Sequence, residues 1–327
     1  MTRLLLYEPS YRSVEDRLPK SGLEIVLMAP DASLSLDGQP ISVEDARPEV
    51  GWTNMDLYAG PAGKYMRALL GSPSMKWLQS GAAGFDMPVF AELVSKGVRL
   101  TTNSSQSVCI AEYVLHGVLD HFQRGAQRRA AQAASQWKRF PFREISGTTW
   151  LIVGYGAIGQ ETARRARAFG ARIIGARRSA GSHELADEMI TPDQIVSRLP
   201  EVDVVVLSVP LSKHTRGMVD AAFLAAMKPK SVLVNVGRGG LVDEPALLAA
   251  LDTGVPEFAV LDVFETEPLP PESPFWQHPR VAVNPHASAM GSGLDERSRQ
   301  LFLENLNRYV AGQPLLNEAA PGDVLAR

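Results

Sequence analysis

The second half of the sequence contains six short runs of apolar, largely β-branched residues, separated by segments with helical spacing. The runs lie at 150–153, 172–175, 202–209, 231–236, 258–263 and 281–284. Strands that are apolar on both faces must be covered on both faces, and a parallel sheet between two layers of helices meets that requirement. The sequence after Gly147 therefore predicts an α/β fold with a doubly wound parallel sheet.

A second, weaker pattern precedes this region. Short apolar runs at 4–7, 23–28, 76–78 and 98–102 alternate with helical spacing such as that of 88–96, which indicates a smaller α/β unit. An amphipathic stretch then runs from about Ser104 to Trp137, and we interpret it as a linker helix or arm. The helical stretch 292–311 lies beyond the last strand, from where it can return to the first unit.

Length and charge narrow the class of protein. A chain of 327 residues, 45% of them hydrophobic, is typical of a folded protein with two domains. Its 33 basic and 36 acidic residues give a net charge of −3, without the positive field that nucleic acid selects. We therefore predict no nucleic-acid partner.

The number of cysteines and the lengths of the apolar stretches indicate where in the cell the protein is found. The single cysteine, Cys109, has no partner for an internal disulfide, so we predict a reducing compartment and a cytoplasmic protein. The first apolar run stops at Glu8, and the stretch 202–211 is about half the ~20 residues of a membrane span. We expect no membrane segment.

The histidines at 116, 121, 183, 214 and 278 are not spaced as metal ligands, so we also expect no metal site.

A glycine-rich turn follows the first strand of the large sheet, in the sequence Gly154-Tyr155-Gly156-Ala157-Ile158-Gly159. In a dinucleotide-binding turn the first glycine makes the bend, the second lets the backbone approach a pyrophosphate, and the third packs helix against strand. The helix N-terminus adds free amides and partial positive charge. We predict a Rossmann-type cofactor site; an ordinary strand-to-helix turn with incidental glycines is the alternative.

The residues at the end of the next strand predict which of the two nicotinamide cofactors is bound. An acidic residue there would bind the ribose 2′-hydroxyl of NAD, but this sequence has Arg177, Arg178 and Ser179. Guanidinium groups are suited to a 2′-phosphate. We therefore predict NADP as the preferred cofactor, with NAD possible. The alternative is that both arginines are solvated and the ribose is bound loosely.

Three chemically versatile residues follow the last three strands: Arg238, Glu267 and His286. The carboxyl ends of parallel strands are where open α/β sheets bind ligands. Reduction of a 2-keto acid needs a cation for the carboxylate, a proton donor, and a group that keeps the donor protonated; these residues fit those roles in that order. Taken one at a time, each of these residues can also be an ordinary turn or loop residue without a functional role.

Five ordered motifs resemble the D-isomer-specific 2-hydroxyacid dehydrogenase family over nearly the whole chain. They are the glycine turn, 205–210 with 215–217, 235–239 with 242–244, 262–268, and Pro285-His286. The resemblance implies that Arg238, Glu267 and His286 are catalytic. It also implies that Arg238 and His286 contact the substrate, whose carboxylate meets the backbone amides of Ala83 and Gly84 in the loop 80–86.

The family signatures, the glycine turn and the arginines together give the predicted cofactor-binding residues. Asp262 is implied near the nicotinamide carboxamide. The full set is Gly154, Gly156, Ala157, Ile158, Gly159, Arg177, Arg178, Ser179, Val209, Pro210, Thr215, Val236, Gly237 and Asp262. Gly237 and Asn284 stand where alanine and threonine are commoner in the family.

The family fold implies a discontinuous, flavodoxin-like substrate domain at 1–102 and 288–327, around a continuous dinucleotide-binding domain at 103–287. Family members commonly dimerise through a long arm, which matches 111–137 and implies a homodimer; from the residues alone the alternative is a solvated helix. The arginines recur in NADPH-dependent glyoxylate and hydroxypyruvate reductases, so reduction is the expected direction.

The predicted function is hydride transfer between NADP(H) and a 2-keto acid or D-2-hydroxy acid. A catalytically silent NADP-binding regulator and a phosphite-type dehydrogenase remain the alternatives. Formate chemistry is disfavoured because formate enzymes of this group carry an amide where Glu267 stands. Hydrolase motifs such as Gly-x-Ser-x-Gly and His-Glu-x-x-His do not occur in the sequence.

Overall fold

The chain divides into two units, each built on its own sheet. One unit is Met1–Ser105 with Ser292–Arg327, and the other is Gln106–Gly291. The computed structural model describes residues 1–58, 60–85, 87–179 and 181–325. Asp86 of the predicted substrate loop and the last two residues of the predicted substrate domain lie outside the described residues.

The first unit begins with a mostly parallel sheet. Its strands are β1 (Thr2–Tyr7), β2 (Leu23–Met28), β3 (Leu34–Leu36), β4 (Gln39–Ile41), β5 (Val50–Trp52), β6 (Trp77–Gln79) and β7 (Arg99–Thr101). Its helices up to that point are α1 (Glu8–Arg12), α2 (Val43–Ala46), α3 (Met55–Tyr58), α4 (Ala62–Gly71) and α5 (Pro88–Ser95), with a 3₁₀ turn at Glu15–Arg17.

The strand order in this sheet is β4-β3-β2-β1-β5-β6-β7. The five parallel strands alone have the order second, first, third, fourth, fifth, which is that of flavodoxin-like folds. An antiparallel hairpin of β3 and β4 extends the β2 edge. Its turn, Asp37-Gly38, has positive φ at both residues (50° and 76°), as a tight hairpin turn requires. The sequence analysis did not predict this hairpin.

The second unit contains the large parallel sheet. Its strands are β8 (Thr149–Val153), β9 (Arg172–Ala176), β10 (Glu188–Ile190), β11 (Val204–Leu207), β12 (Val232–Asn235), β13 (Phe258–Leu261) and β14 (Val281–Val283). Its helices are α6 (Ser107–Phe122), α7 (Gly125–Ala133), α8 (Ala157–Ala168), α9 (Ile195–Arg198), α10 (Ala221–Ala226) and α11 (Glu244–Thr253). Short 3₁₀ turns lie at Pro192–Gln194, Leu199–Glu201, Gly239–Leu241 and Pro274–Trp276.

The sheet order is β10-β9-β8-β11-β12-β13-β14, and the pairings are parallel throughout. This is the doubly wound order, and it confirms the predicted fold class. The order reverses between β8 and β11, which is where such sheets bind ligands. All six predicted strands are present, whereas the short edge strand β10 was not predicted.

The segment interpreted as an arm consists of two helices rather than one. α6 ends at Phe122, Arg124 adopts a left-handed conformation (φ 58°), and α7 starts at Gly125. Beyond α7 the backbone has no regular structure until β8. The side chain of Trp137 is 97% exposed and that of Phe142 49% exposed.

The chain ends in the first unit with α12 (Leu294–Val310) and α13 (Pro321–Leu325). α12 packs on the sheet through aromatic contacts: Phe302 stacks on Trp52 with ring centroids 4.3 Å apart, and Tyr309 stacks on Trp77 at 5.2 Å. The C-terminal helix predicted at 292–311 therefore completes the core of the first unit. Within the described ranges, no helix combines the length and apolar character needed to cross a bilayer.

Candidate active site

The glycine-rich turn joins β8 to α8, and two of its glycines are sterically required. Gly154 has a left-handed φ of 98°, and a Cβ there would lie 2.7 Å from the backbone of Ser208. A Cβ on Gly159 would lie 2.3 Å from the carbonyl oxygen of Gly154. These positions therefore exclude any side chain, one at the bend and one where helix and strand touch.

The middle glycine faces open space. A Cβ built on Gly156 meets no described atom within 4 Å, and its φ of −84° is available to any residue. Gly156 is also the N-cap of α8, where no side chain caps the first-turn amides; Ala157 and Ile158 occupy that turn. Free amides at a helix N-terminus attract an anion, so this turn fits a pyrophosphate.

Arg177 follows β9 directly, at the position where an NAD site would carry a carboxylate. Its Nε donates to the carbonyl oxygen of Ser179 (3.0 Å), and its side chain is half-buried. Arg178 and Ser179 are exposed. The structure therefore presents two guanidinium-bearing residues at the end of the second strand of the doubly wound order.

The loops after β11 and β12 lie side by side next to the glycine turn. A Cβ on Gly237 would lie 2.8 Å from the carbonyl oxygen of Val209, so the two loops are in close contact. Thr215 Oγ1 donates to the carbonyl oxygen of Pro210 (2.8 Å) and thereby closes its own loop. Val236 is buried at the end of β12. These predicted cofactor contacts surround the switch point of the sheet.

Glu267 and His286 form a direct pair. Nδ1 of His286 donates to Oε2 of Glu267 at 2.7 Å, while Oε1 of Glu267 accepts the N–H of Phe264 at 3.0 Å. The side chains are 48% (His286) and 34% (Glu267) exposed, so the pair is open to a ligand. Because Nδ1 is engaged, Nε2 is the ring atom left to exchange a proton with a substrate.

Arg238 lies at the N-cap of the 3₁₀ turn after β12. Its Nη1 donates to the carbonyl oxygen of Gly237 (2.7 Å). Burial lowers the pKa of Arg238, and the negative charge of Glu267 acts in the opposite direction. A guanidinium remains protonated under these conditions, so the site holds a partly desolvated cation within electrostatic reach of the Glu267 carboxylate.

Asp262 is buried and holds the backbone that carries His286. Its Oδ1 accepts hydrogen bonds from Asn284 Nδ2 (2.5 Å), Ala287 N (2.9 Å) and Ser288 N (3.0 Å), and its carbonyl oxygen accepts the His286 N–H (2.8 Å). These contacts support the left-handed conformation of His286, whose φ is 50°. The cofactor contact assigned to Asp262 by resemblance stays a prediction.

In the first unit, Ala83 and Gly84 lie in the loop after β6, and both are half-buried. The start of the loop is fixed by side chains: Thr53 Oγ1 accepts the Gly81 N–H and Ser80 Oγ accepts the Ala82 N–H, each at 3.0 Å. The loop therefore has a defined shape at the carboxyl edge of its own sheet. Its role toward a substrate stays a prediction.

Comparison with known proteins identifies the family. The model of the D-isomer specific 2-hydroxyacid dehydrogenase NAD binding domain matches residues 115–288, more than half of the chain. The chain belongs to this family. Its members interconvert 2-hydroxy acids and 2-keto acids with a nicotinamide cofactor, so the chain is an oxidoreductase of that general class.

Several individual family members are similar to this dehydrogenase. A glyoxylate reductase from Pyrococcus furiosus is 33% identical over 74% of the chain and 75% of its own length. An (S)-sulfolactate dehydrogenase from Chromohalobacter salexigens is 34% identical over 64% of the chain and 69% of its own length. Among solved structures, an NADPH-dependent glyoxylate/hydroxypyruvate reductase from Sinorhizobium meliloti, in complex with NADP and sulfate, has a TM-score of 0.76 and 26% identity over 99% of both chains.

The structure contains contacts near the candidate site that sequence reasoning missed. Asn284 and Ser288 bind Asp262, and Glu244 accepts the backbone N–H of Glu265 at 2.7 Å. In the sequence, Asp243-Glu244-Pro245 has the residues of a capped helix start, and α11 begins there in the structure. The same pattern gives no sign that Glu244 also contacts a loop beyond another strand.

Proposed function

We propose that this dehydrogenase is an NADP(H)-dependent reductase of 2-keto acids of the glyoxylate or hydroxypyruvate type. The observation that carries the proposal is the 2.7 Å hydrogen bond between His286 and Glu267, next to the partly buried guanidinium of Arg238. This arrangement combines a proton donor, its carboxylate partner and a cation at the ends of three adjacent parallel strands. A 2-keto acid needs these three functions to be reduced.

Each of the three residues has a defined part in the reaction. Arg238 binds the substrate carboxylate and places the keto group beside Nε2 of His286. The protonated imidazole then donates its proton to the carbonyl oxygen as the carbon is reduced. Glu267 accepts the Nδ1 hydrogen bond and thereby fixes the orientation of the ring. A bound nicotinamide cofactor supplies the hydride. In the first unit, Ala83 and Gly84 are proposed to offer their backbone amides to a carboxylate.

Selection of NADP rests on Arg177 and Arg178. Two cations at the end of the second strand complement a 2′-phosphate and leave the 2′-hydroxyl of NAD without its acidic partner. The structurally similar Sinorhizobium meliloti reductase was crystallised with NADP, in support of this proposal. The open cradle at Gly156 and the uncapped start of α8 bind the pyrophosphate.

We further propose that the protein is a cytoplasmic homodimer that assembles through the segment 111–137. Trp137, at the end of that segment, is 97% exposed, and the proposal is that the partner copy covers it. Sedimentation velocity is expected to show a dimer, and Trp137→Arg is expected to raise the monomer fraction. A monomeric wild-type protein would overturn this part of the proposal.

The decisive experiment follows the loss of reduced-nicotinamide absorbance with NADPH or NADH and a panel of 2-keto acids from glyoxylate and hydroxypyruvate to phenylpyruvate. The proposal predicts turnover of the small acids with a preference for NADPH. Turnover with NADH alone would remove the 2′-phosphate argument. Cofactor binding without turnover of any acid would instead favour phosphite chemistry, tested directly with phosphite and NADP, or a regulatory protein.

A further inference from the structure

The loop from Phe264 to Glu267 carries the carboxylate that meets His286, yet it has no helical or strand hydrogen bonding of its own. Within the loop, Glu267 Oε1 accepts the Phe264 N–H at 3.0 Å. That contact closes the turn but does not attach it to the rest of the unit. The position of Glu267 relative to His286 therefore depends on contacts from outside the loop.

One such contact comes from Glu244, the first residue of α11. Its Oε1 accepts the N–H of Glu265 at 2.7 Å, across 21 residues of sequence. The Glu244 side chain is half-buried, and burial raises the pKa of its carboxyl group, as does the nearby charge of Glu265; the Glu265 N–H acts in the opposite direction. A carboxylate held in surroundings that disfavour its charge needs a specific interaction, and here that interaction is with the catalytic loop.

The other contacts on the loop are an exposed ion pair and close packing. Arg216 Nη1 lies 3.0 Å from Glu265 Oε1, but both side chains are at least half exposed, and such pairs contribute little. Gly239 lies so close that a Cβ there would be 1.9 Å from the carbonyl carbon of Phe264. Phe264 itself is buried, with its ring centroid 5.7 Å from that of Phe275, so the start of the loop is fixed in the core. Glu244 adds a polar anchor one residue further on, at the exposed Glu265.

We propose that Glu244 is a positioning residue for the catalytic pair: by accepting the Glu265 N–H, it holds the loop so that Glu267 stays in hydrogen-bond contact with His286. Its effect on turnover rests on the function proposed above. Its effect on the loop does not. Glu244 itself contacts neither His286 nor Arg238 through any hydrogen bond described in the structure, so it acts through Glu265 and Glu267.

The kinetic test compares three variants. Glu244→Ala removes the acceptor and is expected to lower kcat by about 10- to 100-fold, because a misplacement of about 1 Å at a catalytic group has effects of that size. KM for the keto acid and the Kd of NADPH are expected to stay close to wild type, since Arg238 and the glycine turn are untouched. Glu244→Gln retains an oxygen acceptor and is expected to restore kcat.

Asp243→Ala is the matched control for a purely structural effect. Asp243 is the N-cap of the same helix, and its Oδ1 accepts the Ala246 N–H at 3.0 Å, but no described contact joins it to the 264–267 loop. This variant is expected to lower Tm while leaving kcat unchanged. If it reproduced the loss of kcat seen with Glu244→Ala, helix integrity would explain the effect and the proposal would fail.

Hydrogen–deuterium exchange of residues 262–268 gives a readout that needs no substrate. Loss of the hydrogen bond is expected to speed exchange of the Glu265 amide by about five- to tenfold in Glu244→Ala but not in Glu244→Gln. If the wild-type protein reduces no keto acid, the proposed function fails while exchange still decides the role of Glu244. Unchanged exchange in Glu244→Ala would overturn the inference. Should that variant not fold, Glu244→Asp, which withdraws the acceptor by one methylene, is expected to give the same acceleration.

Discussion

Alanine at Gly159 and alanine at Gly156 should have different consequences, although the two glycines are only three positions apart in one turn. At Gly159 the new Cβ would lie 2.3 Å from the carbonyl oxygen of Gly154 and 3.0 Å from Cγ2 of Ile152. A clash with a backbone oxygen cannot be relieved by a rotamer change, so β8 and α8 must separate. At Gly156 the Cβ meets no described atom within 4 Å.

The magnitudes follow from these distances. Overpacking of this kind costs about 1 to 3 kcal/mol. Each kcal/mol lowers the Tm of a unit of this size by about 2 to 4 °C, so Gly159→Ala is expected to melt about 2 to 12 °C below wild type. Gly156→Ala is expected to lower the free energy of unfolding by at most about 1 kcal/mol, because alanine is a less favourable N-cap than glycine. On the proposed function its methyl group would, however, occupy the space that the pyrophosphate needs, and about 1.4 kcal/mol of lost binding already weakens Kd tenfold.

Differential scanning fluorimetry and titration of NADPH, followed by cofactor fluorescence, measure both effects on the same samples. Gly159→Ala should lose stability first and affinity as a consequence, whereas Gly156→Ala should keep a near wild-type Tm and bind NADPH at least about tenfold more weakly. Wild-type affinity in Gly156→Ala would show that the open space at this glycine is not where the cofactor binds. A wild-type Tm in Gly159→Ala would refute the packing argument.

Three further predictions concern the charged residues. Arg238→Ala should raise KM for the keto acid by about 10- to 100-fold, whereas His286→Ala should mainly lower kcat, by about 100- to 10,000-fold; unchanged steady-state kinetics in both variants would exclude the mechanism. Replacing Arg177 and Arg178 by alanine should weaken NADPH about 10- to 100-fold and leave NADH little changed; equal losses for both cofactors would contradict the 2′-phosphate assignment. Because burial raises the pKa of Glu244, the folded state favours its protonated form and loses stability as pH rises through that pKa. Glu244→Gln should therefore match the wild-type Tm at acidic pH and exceed it above neutrality, and a Tm difference independent of pH would contradict this reasoning.

The doubly wound sheet and the glycine turn could be predicted from the sequence because each depends on local chemistry. Strands buried on both faces must be apolar throughout, and Gly154 and Gly159 stand where the backbone leaves no room for a Cβ. The pairing of Glu267 with His286 could also be anticipated, because both residues follow neighbouring parallel strands and the carboxyl ends of those strands share one edge.

The elements that were missed have weaker sequence signals. β10 is only three residues long, pairs at the sheet edge and begins with a charged residue, Glu188, so it shows no apolar run. The break between α6 and α7 occurs at Arg124, a residue type that rarely adopts a left-handed conformation, and nothing in the local sequence favours it there. The hairpin of β3 and β4 did carry a signal, the dipeptide Asp37-Gly38, but its strands are too short to show alternation.

The two loops that carry Glu267 and His286 are held in the same way, and this explains why their geometry could not be derived from motif spacing. In each case a carboxylate elsewhere in the chain accepts backbone N–H groups of the loop: Asp262 binds the 287–288 amides, and Glu244 binds the amide of Glu265. Such contacts depend on the conformation of the loop, and loops lack the periodic sequence patterns from which helices and strands are predicted. On the role proposed for Glu244, disturbing either anchor should separate the Glu267–His286 pair, now 2.7 Å apart, even though the strands beneath stay in place.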